Sequence, residues 1–268
     1  MNSLDTSHCR INRSLTTEND WKKVSEMFQR KQVWFSSFDK FNDPFEGSIS
    51  HKKSKTERQV AKRWADRVGA QYAMGNRASR REQIQSAARK VRHGYEINGY
   101  LPGLNEIGVC CLTELVDGLL AWSHYAGGHR GIAIGFHPNA DVQANLFTFA
   151  HKVAYSIDKP NQMSFETALL TKAKCWDYEK EWRLIGDPAV PGSIGYGQGA
   201  PANSPANFSP SDLLEIRIGA KVSDIERRRL VALVSQSGLN PSFIRASLHP
   251  TKYELEFSPQ TDTPLHGV

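Results

Sequence analysis

The chain has no apolar run near the roughly 18 residues that a membrane-spanning helix needs. Its first residues, Met1 to Arg13, are polar and contain no apolar h-region, so no secretory signal is expected and no membrane partner is foreseen. Cysteine is scarce. There are four, Cys9, Cys110, Cys111 and Cys175, with no C-x-x-C pair and no Cys/His cluster at zinc-site spacing. These are the thiols expected of a reducing compartment, and the reading is a soluble, cytoplasmic protein that uses no metal. Charge is absent from one whole stretch. Pro188 to Pro210 holds five prolines, four glycines and no charged side chain, which predicts a long loop. No internal repeat is visible.

What is present is enough for one core: 268 residues, 39% of them hydrophobic. The formal net charge of +6 is unevenly placed. Between His51 and Tyr95 there are thirteen Lys/Arg against three acids, so that stretch alone carries +10 and the rest of the chain −4. Within it Val60, Trp64, Val68 and Tyr72, then Ile84, Ala87, Ala88, Val91 and Tyr95, recur at helical spacing. Residues 51–100 are therefore expected to form a basic helical insert in an otherwise single α+β domain spanning residues 1–268. Residues 51–95 could face nucleic acid or an acidic protein surface, or could be a solvated face.

Outside the insert the pattern alternates irregularly between periods. A helix is expected over 19–30, capped by Thr17, with Trp21, Val24, Met27 and Phe28 inward. Further helices are expected over 117–125, 162–174 and 223–237. Strands are expected over 32–37, 107–113, 130–136, 152–155, 182–186, 213–219, 242–248 and 253–257, with a disordered tail from Ser258. The fold class this implies is α+β, a mixed, largely antiparallel sheet with flanking helices.

Three segments concentrate chemistry. In FNDPFEG, Asn42, Asp43 and Glu46 bunch oxygen atoms of the kind that can hold a hard metal; the alternative is a structured turn anchored by Phe41 and Phe45. In WSHYAGGHRG, Trp122, Ser123, His124, Tyr125, His129 and Arg130 surround a glycine turn, a set suited to a planar base or a phosphate, or to core packing and a helix end. In DYEKEWRL, the spacing predicts Glu179, Glu181 and Arg183 on one side of an extended strand, lining a cleft or forming a surface ion-pair ladder.

Three stretches, VWFSSFDKFNDPFEG (Val33 to Gly47), CCLTELVDGLLAWSHYAGGHRGIAIGF (Cys110 to Phe136) and KCWDYEKEWRLI (Lys174 to Ile185), resemble the DUF2971 family of uncharacterised bacterial proteins in content, order and spacing. The resemblance leaves out the basic insert. It departs at the first strand, where CRINRSL keeps Arg13 and Ser14 but lacks the family's aromatics. More weakly, an early Arg, a later Ser and a late E-x-E are similar to the order found in ADP-ribosyltransferases. That similarity implies NAD as co-substrate, Arg13 on its phosphates, Ser36 or Ser37 at the nicotinamide ribose, and Tyr125 against nicotinamide. It also implies Glu181 as the residue that stabilises the ribose cation and Glu179 as the residue that orients the acceptor, with Asn42, Asp43, Glu46, Trp122, His124, His129, Arg130 and Arg183 around them. Such an enzyme would suit a toxin or phage-defence system. A nucleic-acid-binding or nuclease module built on the basic helices, and a non-catalytic partner-binding protein, are the alternatives.

Overall fold

The computed structural model describes residues 9–50, 76–79, 82, 98–101, 103–137, 146–161, 164–186 and 200–260. Nearly all of the expected basic insert, and residues 187–199 of the expected loop, lie outside the described residues.

The elements follow the hydrophobic pattern closely at both ends of the chain. After strand β1 (Cys9–Ser14) comes helix α1 (Glu18–Arg30), closed at its start by a capping box. The Thr17 hydroxyl accepts from the Asp20 backbone N–H, and the Asp20 carboxylate accepts from the Thr17 N–H. Lys31, in the left-handed region, ends the helix and turns the chain into β2 (Gln32–Phe35). Strands β3 (Ser48–Ser50) and β4 (Asn98–Tyr100) form a small pair. Then follow β5 (Val109–Thr113), the short helix α2 (Leu119–Tyr125) and β6 (Gly131–Phe136). Next come β7 (His151–Lys152), β8 (Ala154–Ser156), helix α3 (Phe165–Leu170), β9 (Thr171–Ala173) and β10 (Glu181–Ile185). The chain closes with β11 (Ser204–Asn207), β12 (Leu213–Ile218), helix α4 (Asp224–Gln236), β13 (Ser242–Leu248) and β14 (Leu255–Pro259).

Eight strands make the main sheet, in the order β14-β13-β12-β6-β1-β5-β10-β7. Every neighbour is antiparallel except β12 and β13, which are parallel and joined through α4. The α+β class with a mixed, largely antiparallel sheet is thus the observed one. The larger core lies where α1 and α4 pack on the sheet, with Trp21, Phe28, Leu230 and Val234 against Ile11, Ile132, Ile134 and Ile216. A second core gathers Phe38, Ile49, Leu104, Val109, Leu169 and Ile185. No described helix is long and apolar enough to cross a membrane.

Several expected boundaries shift, each because a long-range pairing overrides local pattern. The helix expected over 162–174 stops at Leu170, since Thr171–Ala173 pairs in parallel with β8. The strand expected over 152–155 divides at the buried Val153 into β7, which pairs with β10, and β8, which pairs with β9. Part of the expected long loop is ordered as β11, which runs antiparallel to β2. The expected disordered tail is ordered at its start, where Ser258 pairs with Arg245.

One feature of the sheet positions the site. β1 follows β6 over its whole length, and β5 follows β10 over its whole length. β1 and β5 themselves meet at a single pair, Arg10 with Thr113. At the other end of β5 the hydrogen bonds of Val109 go instead to Ser36, in both directions and at 2.9 Å. Between these two attachments the sheet is split, and Cys110, Cys111 and Leu112 border the gap. On the opposite side of β1, Gly131 holds β6 close: a Cβ there would lie 2.1 Å from the Arg13 carbonyl oxygen. Gly131→Ala is therefore expected to lower stability by about 1–3 kcal/mol, and to shift β1 at the gap; urea unfolding and amide exchange of residues 9–14 would measure both.

Candidate functional site

The split in the sheet opens into a cleft of about 430 Å³, within the range of small-molecule sites. β1 contributes Asn12 and Arg13, and the Arg13 guanidinium donates to the Asn12 carbonyl at 2.9 Å. The chain after β2 adds Ser36, Lys40, Phe41 and Asn42; α2 adds His124 and Tyr125; and Lys172, Glu179 and Glu181 close the polar end. Burial lowers the pKa of Arg13 from its ordinary value, with the two neighbouring thiols acting against it.

Beneath that polar end is a buried ion network. The guanidinium of Arg183 is wholly inaccessible, at 0% exposure. It donates to Glu181 at 2.8 and 3.1 Å, to Glu46 at 2.6 Å and to the Leu169 carbonyl. Phe38 and Phe41 cover it, their ring centres 5.7 and 5.6 Å from Cζ. Lys172 extends the network. Its ammonium donates to Glu179 and, at 2.9 Å, to Glu181, and lies 3.8 Å from Glu46. Tyr125 donates its hydroxyl proton to Glu179. The Tyr155 hydroxyl accepts from the Glu181 backbone N–H at 2.7 Å.

The electrostatics follow from this packing. Burial would raise the Glu181 carboxyl, but Arg183 and Lys172 outweigh it and hold it down at about 2. Burial opposes the charge on Lys172; Glu181, Glu179 and Glu46 reverse that and raise its pKa. Glu46 behaves differently: burial lifts its pKa despite Arg183 and Lys172, and Glu181 lifts it further. One of its oxygens, Oε2, has no hydrogen-bond partner. The burial of Tyr125 and its bond to Glu179 raise its phenol, with Asn42 pulling the other way. Tyr155 is pushed up to about 12, first by burial. With all five groups ionised, two cations face three carboxylates, so the network carries one formal negative charge.

The residues singled out in the sequence separate into three groups. Arg13, Ser36, Asn42, His124, Tyr125, Glu179 and Glu181 line the cleft. Glu46 and Arg183 lie below it and fix its carboxylates. The others are elsewhere. Asp43 serves its own turn, accepting from the Phe45 N–H at 2.9 Å. Ser37 is buried and bonded to Asp39 and Asn203. Trp122 is buried beside Ala126 and Ala133, its indole N–H bonded to the Val116 carbonyl. His129 lies against Trp122, and Arg130 is exposed beyond the glycine turn. Asn42, Asp43 and Glu46 therefore do not converge as a ligand set, because the turn directs each to a different partner. Among the described residues, no group of three or more His, Cys, Asp or Glu could hold a metal ion; the carboxylates that do converge surround the Lys172 ammonium.

Two expectations about local geometry are corrected. Glu179 does not share a strand with Glu181. It ends a 3₁₀ helix, Lys174–Glu179, and Lys180 in the left-handed region, at φ 45°, turns the chain into β10. The two carboxylates still meet, because Lys172 reaches both. Phe45 does not anchor the FNDPFE turn in the core; it is 58% exposed, and Phe38 takes that place. Lys172, Tyr155, Trp34 and Lys40 escaped the sequence reading. The available signal for Lys172 was a lysine inside the run ALLTKA, close before two glutamates; Lys174, the more obvious candidate, is exposed and pairs with Asp177.

Residues 121–184, which hold most of α2, all of β6 and the chain as far as Arg183 and Leu184, match the model of a protein family described as a protein of unknown function, DUF2971. No curated protein and no solved structure matches the chain.

Two outcomes test the network. Arg183→Met leaves buried carboxylates uncompensated and is expected to cost roughly 3–5 kcal/mol in chemical denaturation. Glu181, depressed from an ordinary 4.5 to about 2, contributes stability that is complete above its ordinary value and is lost as pH falls towards about 2. An acid titration of stability followed by circular dichroism should show this slope, and Glu181→Gln should flatten it.

Proposed function

We propose, for a chain whose residues 121–184 match the DUF2971 family model, that the cleft takes NAD and that the protein is an ADP-ribosyltransferase-like enzyme. The observation that carries this reading is the meeting of Arg13, Tyr125 and Glu181, far apart in sequence, along one cleft. The chemical inventory suits a dinucleotide. Arg13 and Lys40 offer cations to a pyrophosphate, Tyr125, His124, Trp34 and Phe41 offer flat faces to bases, and two carboxylates stand at one end.

The network below gives those carboxylates a task. In ADP-ribosyl transfer the bond between ribose C1′ and the nicotinamide nitrogen breaks. Its electron pair leaves with nicotinamide, and positive charge develops on the ribose. A fixed anionic environment stabilises that charge more than it stabilises the ground state. Glu181 stays ionised through Arg183 and Lys172, which keeps an anion at the polar end of the cleft. An acceptor oxygen or nitrogen then bonds to C1′ and gives up its proton, with Glu179 placed by Tyr125 and Lys172 to orient it.

Incubation of the whole protein with NAD, with and without cell extract, tests the reading by chromatographic detection of nicotinamide. Release is expected, and Glu181→Gln should slow it by about 100-fold or more. Absence of release from the wild-type protein under both conditions would sink the proposal.

A further inference from the structure

A cluster of aromatic side chains continues from the cleft wall around Glu179. Tyr125 and His124 belong to the cleft wall, their ring centres 6.2 Å apart. Tyr178 lies 6.4 Å from His124, and Trp176 6.1 Å from Tyr178, each pair tilted. His124 is exposed, and Tyr178 and Trp176 are partly so. The 3₁₀ helix that presents them reads KCWDYE and is followed by Lys180. Trp176 has a fixed inner surface: the Lys172 ammonium lies 5.0 Å from its ring centre.

From this arrangement we infer that these aromatic side chains bind single-stranded nucleic acid and seat one base next to Glu179, making a nucleotide the acceptor; this rests on the ADP-ribosyltransferase reading above. Two features favour a nucleic acid over a protein. Aromatic side chains spaced along an open surface match successive bases, each of which has a flat face to stack. Lys174 and Lys180, both exposed, bracket those aromatics; Lys174 is paired with Asp177 at 2.7 Å, and Lys180 beside Glu179 matches the sign of a phosphate backbone. A duplex keeps its bases stacked on one another and so cannot use these rings. Transfer balances as follows: a nucleophilic oxygen or nitrogen of the seated nucleotide bonds to C1′, nicotinamide departs with the glycosidic electron pair, and the nucleotide's proton passes to Glu179 or to water.

The test uses the whole protein with fluorescent mixed-sequence oligonucleotides, single-stranded DNA, single-stranded RNA and duplex DNA, read by anisotropy without NAD. Single strands of at least one kind should bind, more tightly than duplex. Trp176→Leu should weaken that binding about tenfold, and Trp176→Phe, which keeps a flat ring over Lys172, should retain most of it. Equal melting temperatures of the two variants would exclude misfolding as the cause. The inference is overturned if no single strand binds, if binding ignores both Trp176 substitutions (as it would if the basic residues of 51–95 alone were responsible), or if labelled NAD marks only protein. Nicotinamide release from NAD in the absence of any oligonucleotide is scored separately, so failure of the nucleotide acceptor and failure of the NAD reading are distinguishable.

Discussion

The guanidinium of Arg183 ties three separate parts of the chain together. It reaches Glu46 in the turn before β3, Glu181 at the start of its own strand and the Leu169 carbonyl at the end of α3. A buried guanidinium is costly unless nearly all its donors are met, and here four donor contacts and two aromatic rings meet it. The turn is therefore held to the sheet by charge as well as by Phe38, and the left-handed Gly47 lets the chain leave it where a Cβ would collide with Leu104 and Phe38. The cleft inherits its rigidity from this anchor. Without it Glu181 would lose the partner that keeps it ionised, and Asn42 would lose its fixed approach to Tyr125.

Much of the fold was legible because local signals and tertiary demands agreed. Thr17 with Asp20, and Ser223 with Glu226, are caps whose partners lie three residues away, so sequence alone contains both halves. β6 is an apolar run buried in the middle of the sheet, and β12 beside it carries four apolar residues with Glu215 and Arg217. The failures occur where a distant partner decides. Thr171–Ala173 has nothing in its own composition to forbid continuing α3; pairing with β8 does that. Nothing near β1 announces that Ser36 will take the hydrogen bonds of Val109, and that substitution is what leaves the sheet split.

The site was legible in its members more than in its connections. E-x-E was visible as a motif, but its expected geometry, alternation along one strand, was not the observed one. Lys180 adopts a left-handed backbone that few non-glycine residues accept, and this moves Glu179 out of β10. Conversely, Trp122 and Tyr125 lie three apart on α2 as expected, yet one points into the core and the other into the cleft. Lys172 was invisible because its meaning depends on two glutamates that the intervening 3₁₀ helix brings back to it. Spacing along the chain does not encode that return.

The buried charges also limit how this protein can change over time. Glu46, Lys172, Glu179, Glu181 and Arg183 pair with one another while buried, with little exposed surface to take up a mismatch. A neutralising substitution at Arg183 or Lys172 strands carboxylates in the interior, whereas an exposed pair such as Lys252 with Glu254 can drift freely. The turn around residue 46 and the stretch from 172 to 183 are thus constrained as a single unit of inheritance. A chimera exchanging either piece alone with a divergent relative would inherit an unbalanced interior, and recombination between them would tend to be purged.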